Sequence, residues 1–556
     1  MIDALAEPEA TRAEPVRSAR MEALRLGRPL SGRELGLAWA ALAILAVLAF
    51  TPHIRHGGFY LDDWSNAAGA LHPPGGPGIG NVLSYFDEIT VYRPVLVVYV
   101  PLTYLVFGMN MGLHLAWAAA LAVIVAAILY GLLRSLGVPW VHALLIAALV
   151  LLFPWFDSTR FWATADQVSL AIAFLLGGMW VAIAGLARRS WRWHAGAALL
   201  YLTSILTYEV TLPVIAAAGL LYVWRAGWRL GRARWAVDLG VAIAGGIWVG
   251  THTSRTASGI SGDIGHLREI VEGGARIVGR SAIPVGTERN SLALIALGVV
   301  FVLGLVALLA LPRRFPVRSG WGLRSWLLLG AGGLALAVLG WVMFIPADPY
   351  YTPVIWGITN RVNGLSGIGA VIVVYAALGV VGTLAGQLWR GIGGVPLAIT
   401  LLLALLLGAG YVTVLRRHTG IWNSAYASEA AALDQIQSRY PRLPPETTLF
   451  VSGYPAYQTL GVPILSSTWD LDGMVKTRYE DRTLAAYPVV FGFTLVCRAT
   501  GVGLEGDGAP VGTAPYGTAR LLDLGKGESS LPRDQRQCDS VAGDYLPGPF
   551  YLSVEY

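Results

Sequence analysis

The chain has 556 residues, 55% of them hydrophobic and 13% charged, with a mean hydropathy of +0.58. Soluble domains carry about 25% charged residues, and apolar runs of the roughly 20 residues that cross a bilayer recur along the chain, so a polytopic α-helical membrane protein is expected and a soluble enzyme is excluded. The net charge of +6 does not point to nucleic acid, because the arginines cluster in short loops between apolar runs, the pattern of cytoplasmic loops.

Residues 1–34 are polar and carry Arg12, Arg17, Arg20, Arg25, Arg28 and Arg33. They read as a cytoplasmic N-terminal segment, not as a cleavable signal peptide. Residues 35–54 hold no Asp, Glu, Lys or Arg and form the first span, running outward. A first outer loop over 55–111 follows. It opens with Phe59-Tyr60-Leu61-Asp62-Asp63-Trp64-Ser65-Asn66 and contains the Gly/Pro-rich stretch 72–78.

Residues 94–133 are charge-free, with a break at Phe107-Gly108-Met109-Asn110. Four basic loops follow, around Arg188–Arg192, Arg225–Arg234, Arg313–Arg324 and Arg390. All four lie inside only if 94–108 does not cross, so this stretch is expected to be an interfacial helix broken by Pro94 and Pro101. The spans are then 35–54, 112–133, 138–154, 167–187, 194–208, 210–224, 236–252, 290–311, 325–346, 362–386 and 393–415. That makes about 11 transmembrane helices within a body over 35–415.

Eleven crossings put the segment 416–556 outside the membrane. Its composition is that of a soluble domain. A helix is expected over 425–439, with β-like runs at 448–453, 487–497, 519–524 and 550–554, giving a small extracytoplasmic α/β domain. Both cysteines, Cys497 and Cys538, fall here, and an extracytoplasmic location favours a disulfide between them. Only Lys476 and Lys526 are lysines among 40 basic residues. With the abundance of Ala and Gly this reads as the coding bias of a GC-rich bacterium, and the host membrane as a bacterial cytoplasmic (inner) membrane.

The ionisable candidates gather on the outer side of this topology. They are Asp62, Asp63, Asp87, Glu88, Arg93, Asp157, Arg160, Asp166 and Glu209; Arg255, Asp263, His266, Arg268 and Arg280 in the loop 253–289; then Asp348, Tyr350, Tyr351, Asn360 and Arg361. Charges at membrane depth cost about 2.5–3.5 kcal/mol on insertion scales, so such groups line a wet cavity or pair with one another. Glu209 sits in a seam between two apolar runs that is too short for an open loop. A carboxylate in a partly dry pocket suits a general base, and an arginine fork suits a phosphate. Walker A, His-Glu-x-x-His and Cys-x-x-Cys patterns are absent from the sequence, and a cytoplasmic nucleotide-sugar reaction is unsupported.

Leu61-Asp62-Asp63-Trp64-Ser65-Asn66 after the first span, Arg93-Pro94, Phe107-Gly108 with His114, and Tyr208-Glu209 with Pro213 form an ordered set. In order and position the set resembles the GT-C superfamily of integral-membrane glycosyltransferases. The motifs cover the first 220 residues; beyond them the resemblance is one of architecture. The Trp-Trp-Asp motif of oligosaccharyltransferases is missing, and Ser467-Thr468-Trp469-Asp470 does not supply it.

The resemblance implies an inverting transfer of a sugar, arabinofuranose or mannose favoured, from a polyprenyl-phosphate donor to a cell-envelope glycan, lipid or protein outside the membrane. It makes Asp62 the base. Asp63 then holds the acceptor or a divalent cation (Mg, Mn or Ca), which the pair permits without demanding. The implied substrate-binding set is Arg93, His114, Glu209, Arg255, Tyr351 and Arg361, with Arg255 and Arg361 at the donor phosphate. Arg93 has the alternative of pairing with an acid of the first loop. The pair Asp62-Asp63 has the alternative of capping an interfacial helix. Trp422, Tyr426, Tyr454, Tyr457 and Trp469 are either sugar-stacking residues or core. The rival functions are a lipid-linked glycan polymerase or ligase of another fold, built on the loop 253–289, and a lipid or polysaccharide transporter or flippase. A transporter predicts internal repeats, which the sequence does not show.

Overall fold

The structure, a computed structural model, describes residues 30–253, 260–284, 290–310, 321–389, 394–459, 461–506 and 508–552. The chain is a multi-pass helical membrane protein that ends in a small mixed domain. Helix α1 (Gly32–His56) starts on Ser31, whose side chain accepts from the Glu34 amide. Three short helices then lie in the first loop: α2 (Asp62–Leu71), α3 (Ile79–Thr90) and α4 (Pro94–Phe107). The body continues as α5 (Met111–Ser135), α6 (Trp140–Leu152), α7 (Ser158–Phe161), α8 (Asp166–Arg188), α9 (Trp191–Thr207), α10 (Leu212–Ala226) and α11 (Trp228–His252). It is completed by α12 (Ile260–Ala282), α13 (Asn290–Ala310), α14 (Leu323–Val342), α15 (Gly364–Leu388) and α16 (Val395–Arg439).

Among the described residues, 7 helices are long and apolar enough to cross a membrane: α1, α5, α8, α10, α14, α15 and α16, some with a short lead-in turn. The other four expected spans are also helical, as α6, α9, α11 and α13. Helix α4 has 14 residues. At 1.5 Å per residue it reaches about 21 Å, short of the roughly 30 Å hydrocarbon core. Pro94 starts it, where a missing N–H costs nothing. Gly108, at φ +56°, ends it.

Small residues set the closest helix approach. A Cβ on Gly369 of α15 would stand 2.4 Å from the Gly333 carbonyl of α14, and one on Gly340 would meet Ser366. Such a seam lets two backbones touch where no water-driven force assembles helices.

Helix α16 runs unbroken for 45 residues. The boundary expected at 416 therefore falls inside a helix, and the helix expected at 425–439 is its last part. Beyond it, strands β1 (Thr448–Ser452), β2 (Tyr457–Thr459), β3 (Val462–Pro463) and β4 (Ala485–Pro488) are followed by β5 (Phe493–Arg498), β6 (Gly501–Gly506), β7 (Ala509–Ala514), β8 (Ala519–Asp523) and β9 (Glu528–Ser530). Helix α17 (Thr468–Tyr479) precedes β4 and α18 (Gln535–Ala542) follows β9.

The main sheet has the order β4-β1-β8-β9, with β1 parallel to both neighbours; β5-β6-β7 form an antiparallel sheet and β2-β3 a ribbon. A disulfide joins Cys497 of β5 to Cys538 of α18, with their Cα atoms 5.8 Å apart. The run expected at 487–497 is two strands, because Gly492 turns the chain at φ +91°. The run at 550–554 contributes one bridge, Tyr457 to Tyr551, and its end lies outside the described residues.

The terminal domain is seated on the first loop. Helix α17 packs on α2, and a Cβ on Gly473 would stand 2.4 Å from the Trp64 carbonyl. Tyr60 donates to the Trp422 carbonyl at 2.8 Å, Trp64 Nε1 donates to Glu429 at 3.0 Å, and the Ile358 amide donates to the Gly461 carbonyl at 2.8 Å. Gly357 adopts φ +67° at this last contact, where any side chain would collide with Gly461.

Candidate functional site

Helix α2 begins on the two adjacent aspartates, which the structure separates by role. Asp63 is fully buried. Its Oδ1 accepts from the Thr164 amide at 2.7 Å, the Thr164 hydroxyl at 2.5 Å and the Tyr104 hydroxyl at 3.5 Å; its Oδ2 accepts from the Tyr60 amide at 3.1 Å. It ties the start of α2 to the turn before α8 and stabilises the positive end of the helix. Burial pushes its carboxyl up to about 7, against these hydrogen bonds. The cation role expected of Asp63 does not fit this donor set, because its oxygens are already engaged. Among the described residues no group of three His, Cys, Asp or Glu converges as a metal site.

Asp62 faces the other way and is half-buried. Its Oδ1 accepts from Trp469 Nε1 of α17 at 2.8 Å. Burial raises its carboxyl above the ordinary value, opposed by the Arg361 charge and by the Trp469 donor.

Arg361 lies in the turn Ile358–Asn363 that leads into α15. Its guanidinium stands 4.9 Å from the Trp162 ring, 5.7 Å from Tyr351 and 5.9 Å from Tyr350. It donates to the Ile358 carbonyl at 3.3 Å and to no other described residue. A guanidinium carries five donors, so most of its capacity is unspent. The charge reaches Asp62 without a direct ion pair.

Arg93 and Glu209 pair with each other. Arg93 Nε donates to Glu209 Oε2 and its Nη2 to Oε1, both at 2.8 Å. Tyr92 and Tyr208 lie against the guanidinium at 4.8 and 4.2 Å. The expected partner of Arg93 in the first loop is thus replaced by the acid of the seam between α9 and α10. Arg93, Tyr208, Glu209, Met343, Phe344 and Tyr351 line a narrow cleft. Tyr351 lines this cleft and also lies against Arg361, so the cleft adjoins Arg361.

Other expected residues are elsewhere. His114 is buried, with Nε2 on the Gly108 carbonyl at 3.0 Å and its ring among Phe59, Tyr104 and Phe107; it props the end of α4. Arg255 lies outside the described residues. Asp157 accepts from Asn360 at 2.6 Å and pairs with His418, a buried clasp between the turn after α6, the turn before α15, and α16. Arg160 is buried and donates to the Leu151 and Phe153 carbonyls at the end of α6. Asp166 accepts from Tyr99 at 2.6 Å. Of the five candidate stacking aromatics, Trp422 and Tyr454 are core, while Trp469 is 48% exposed.

Trp162, Thr164 and Tyr104 were not foreseen. Folding alone brings Trp162 to Arg361, and Thr164 and Tyr104 to Asp63. The one available signal was Trp469, beside an aspartate in the terminal domain.

No protein-family model and no curated protein sequence matches the chain. Among solved structures it is similar to the crystal structure of ArnT from Cupriavidus metallidurans bound to undecaprenyl phosphate. The identity is 13%, the match covers 80% of this chain and 85% of that one, and the TM-score is 0.39.

Proposed function

We propose that the chain is a membrane-embedded inverting glycosyltransferase of the GT-C type. It moves one sugar, arabinofuranose or mannose, from a polyprenyl-phosphate donor to a cell-envelope glycan, lipid or protein at the outer face of the cytoplasmic membrane. The observation that carries the reading is the joint placement of Asp62 and Arg361: a half-buried carboxylate at a helix start, within electrostatic reach of an arginine with unspent donors walled by aromatic rings.

The chemistry follows from that placement. Asp62 takes the proton of the acceptor hydroxyl as its oxygen attacks the anomeric carbon. The bond from that carbon to the phosphate oxygen breaks on the opposite side, and its electron pair leaves with the polyprenyl phosphate. Arg361 meets the charge that develops there. The leaving group is a phosphate monoester, so no strong acid is required. The Arg93–Glu209 pair holds the seam that lines the cleft. N-terminus inside, C-terminal domain outside, is the orientation this reading requires, and it agrees with the arginine-bearing loops.

The test is sugar transfer by the purified protein in nanodiscs. Polyprenyl-phosphate arabinose, mannose and glucose are offered in parallel, with envelope glycans as acceptors. Transfer from one donor, lost in a folded Asp62→Ala protein, is the expected result. Transfer untouched by that substitution moves the base elsewhere. No transfer from any donor, with binding of an intact lipid-linked oligosaccharide, overturns the reading in favour of a polymerase, ligase or flippase.

A further inference from the structure

The contact between Trp469 and Asp62 crosses from the terminal domain to the first loop and has no evident structural need. The domain is already held by the Gly473–Trp64 backbone approach, the Tyr60–Trp422 and Trp64–Glu429 bonds, and the Gly461–Ile358 bond. A tryptophan in such a joint normally buries its ring. Trp422 and Trp64 do so, at 1% and 3% exposure, but Trp469 remains 48% exposed. It spends its one polar atom on Asp62 Oδ1 and leaves ring surface open to solvent.

Its position is imposed. Ser467 and Asp470 close a capping box that starts α17, and Gly473 lets the helix lie directly on α2. Trp469 sits in the first turn, between cap and contact, where both ends of the segment are tied. Arg361 acts on the same carboxylate from the body of the protein. Asp62 thus has a cation toward the donor cleft and an open aromatic surface toward the terminal domain.

We infer that Trp469 is the platform of an acceptor subsite for a saccharide, stacking on one sugar ring while its Nε1–H holds Asp62 in place against that ring's hydroxyl. The inference rests on the proposed transferase and narrows its acceptor to a carbohydrate. An apolar ring surface beside a carboxylate matches a sugar, which offers C–H groups on one face and hydroxyls at its edge. A lipid tail has no use for the carboxylate.

Binding is measured first, without donor, by calorimetry on the full chain in nanodiscs. The probes are linear arabinofuranose, mannose and glucose tetrasaccharides, against wild type, Trp469→Ala, Trp469→Phe and Asp62→Asn. The inference expects the wild type to bind at least one probe, Trp469→Ala to bind it roughly tenfold more weakly, and Trp469→Phe to stay within about threefold. Absence of binding to all three probes by the wild type overturns it, as does unchanged binding by Trp469→Ala. Where transfer is measurable, Trp469→Phe keeps the acceptor KM, lowers kcat and moves the acid limb of the pH profile upward, because Asp62 loses a donor that favours its ionised form. A Trp469→Phe profile identical to wild type overturns the positioning role. Binding that depends on Trp469 with no transfer from any donor sinks the transferase reading and leaves the saccharide subsite standing.

Discussion

Arg93 and Glu209 form a two-point ion pair at 2.8 Å that joins the start of α4 to the seam between α9 and α10. The side chains are 13% and 7% exposed, so neither charge has water to fall back on. Removing one partner of such a buried pair costs about 3–5 kcal/mol, because the other charge loses its counter-charge. Glu209→Ala and Arg93→Ala are each expected to lower thermal stability in detergent by that order. The double substitution is expected to cost clearly less than the sum, since it strands no charge. A strictly additive double mutant would mean that the pair is not coupled.

On the proposed mechanism Asp62 gives the transfer reaction a pH signature. Burial lifts its carboxyl, and the base form is the ionised one. Below the raised value Asp62 is protonated and idle; above it the base is available. The rate kcat/KM is therefore expected to rise with pH through an acid limb above the ordinary carboxylate range. Asp62→Asn loses about 10²–10⁴-fold in rate and with it the limb. Arg361 opposes the upward shift, so Arg361→Gln moves the limb to higher pH as well as weakening the donor. A limb that stays in place in Arg361→Gln would separate the two residues.

Asp63 carries the opposite kind of dependence, on stability. Its folded value is about 7, against about 3.9 for an exposed aspartate. Between those two values the folded state binds more protons than the unfolded one. Stability therefore falls as pH rises across that window and is flat above it, by at most about 4 kcal/mol. In Asp63→Asn this slope disappears. The variant is also less stable at every pH, since an amide nitrogen cannot accept from both Tyr60 and Thr164 where two carboxylate oxygens do. Chemical unfolding at pH 4.5, 6 and 8 measures both effects.

The disulfide closes 41 residues of the terminal domain. On the loop-entropy account this contributes about 4 kcal/mol. Cys497→Ser with Cys538→Ser is expected to melt the β5–α18 region well before the helical body, seen as two separate transitions by hydrogen exchange. Coincident loss of protection in both parts would show that the body depends on this bond.

The helical body was readable because its long helices announce themselves in composition alone: a helix lies at each of the eleven charge-poor runs. The short helix that starts at Pro94 was readable from that proline and from the break after Phe107, although Pro101 does not interrupt it. The strands were less so. Gly501–Gly506 and Ala509–Ala514 form β6 and β7 although the sequence there is rich in Gly, because a hairpin held by β5 and a disulfide does not need strong strand formers. The site was legible at Asp62, Glu209 and Arg361, where charge stands out against apolar surroundings. The direction in which each charge points was not. That Asp63 turns into protein, that Arg93 reaches 116 residues along the chain to Glu209, and that Trp469 returns over 407 residues to Asp62 are products of folding. No local pattern encodes them.

Gly473 offers a way to test that return without touching any polar group. Its Cα lies so close to Trp64 that an added Cβ would sit 2.4 Å from both the carbonyl carbon and the oxygen, a backbone that cannot swing aside. Gly473→Ala must therefore lift α17 off α2, at a cost of about 1–3 kcal/mol for overpacking. The first turn of α17 carries Trp469, so the shift draws Nε1 away from the Asp62 carboxylate. The expected outcome is a folded protein with an intact helical body, a terminal domain that exchanges amide hydrogens faster along α17, and transfer reduced at least as much as in Trp469→Phe. A Gly473→Ala protein with normal transfer and slower α17 exchange would show that the close approach has no bearing on Asp62.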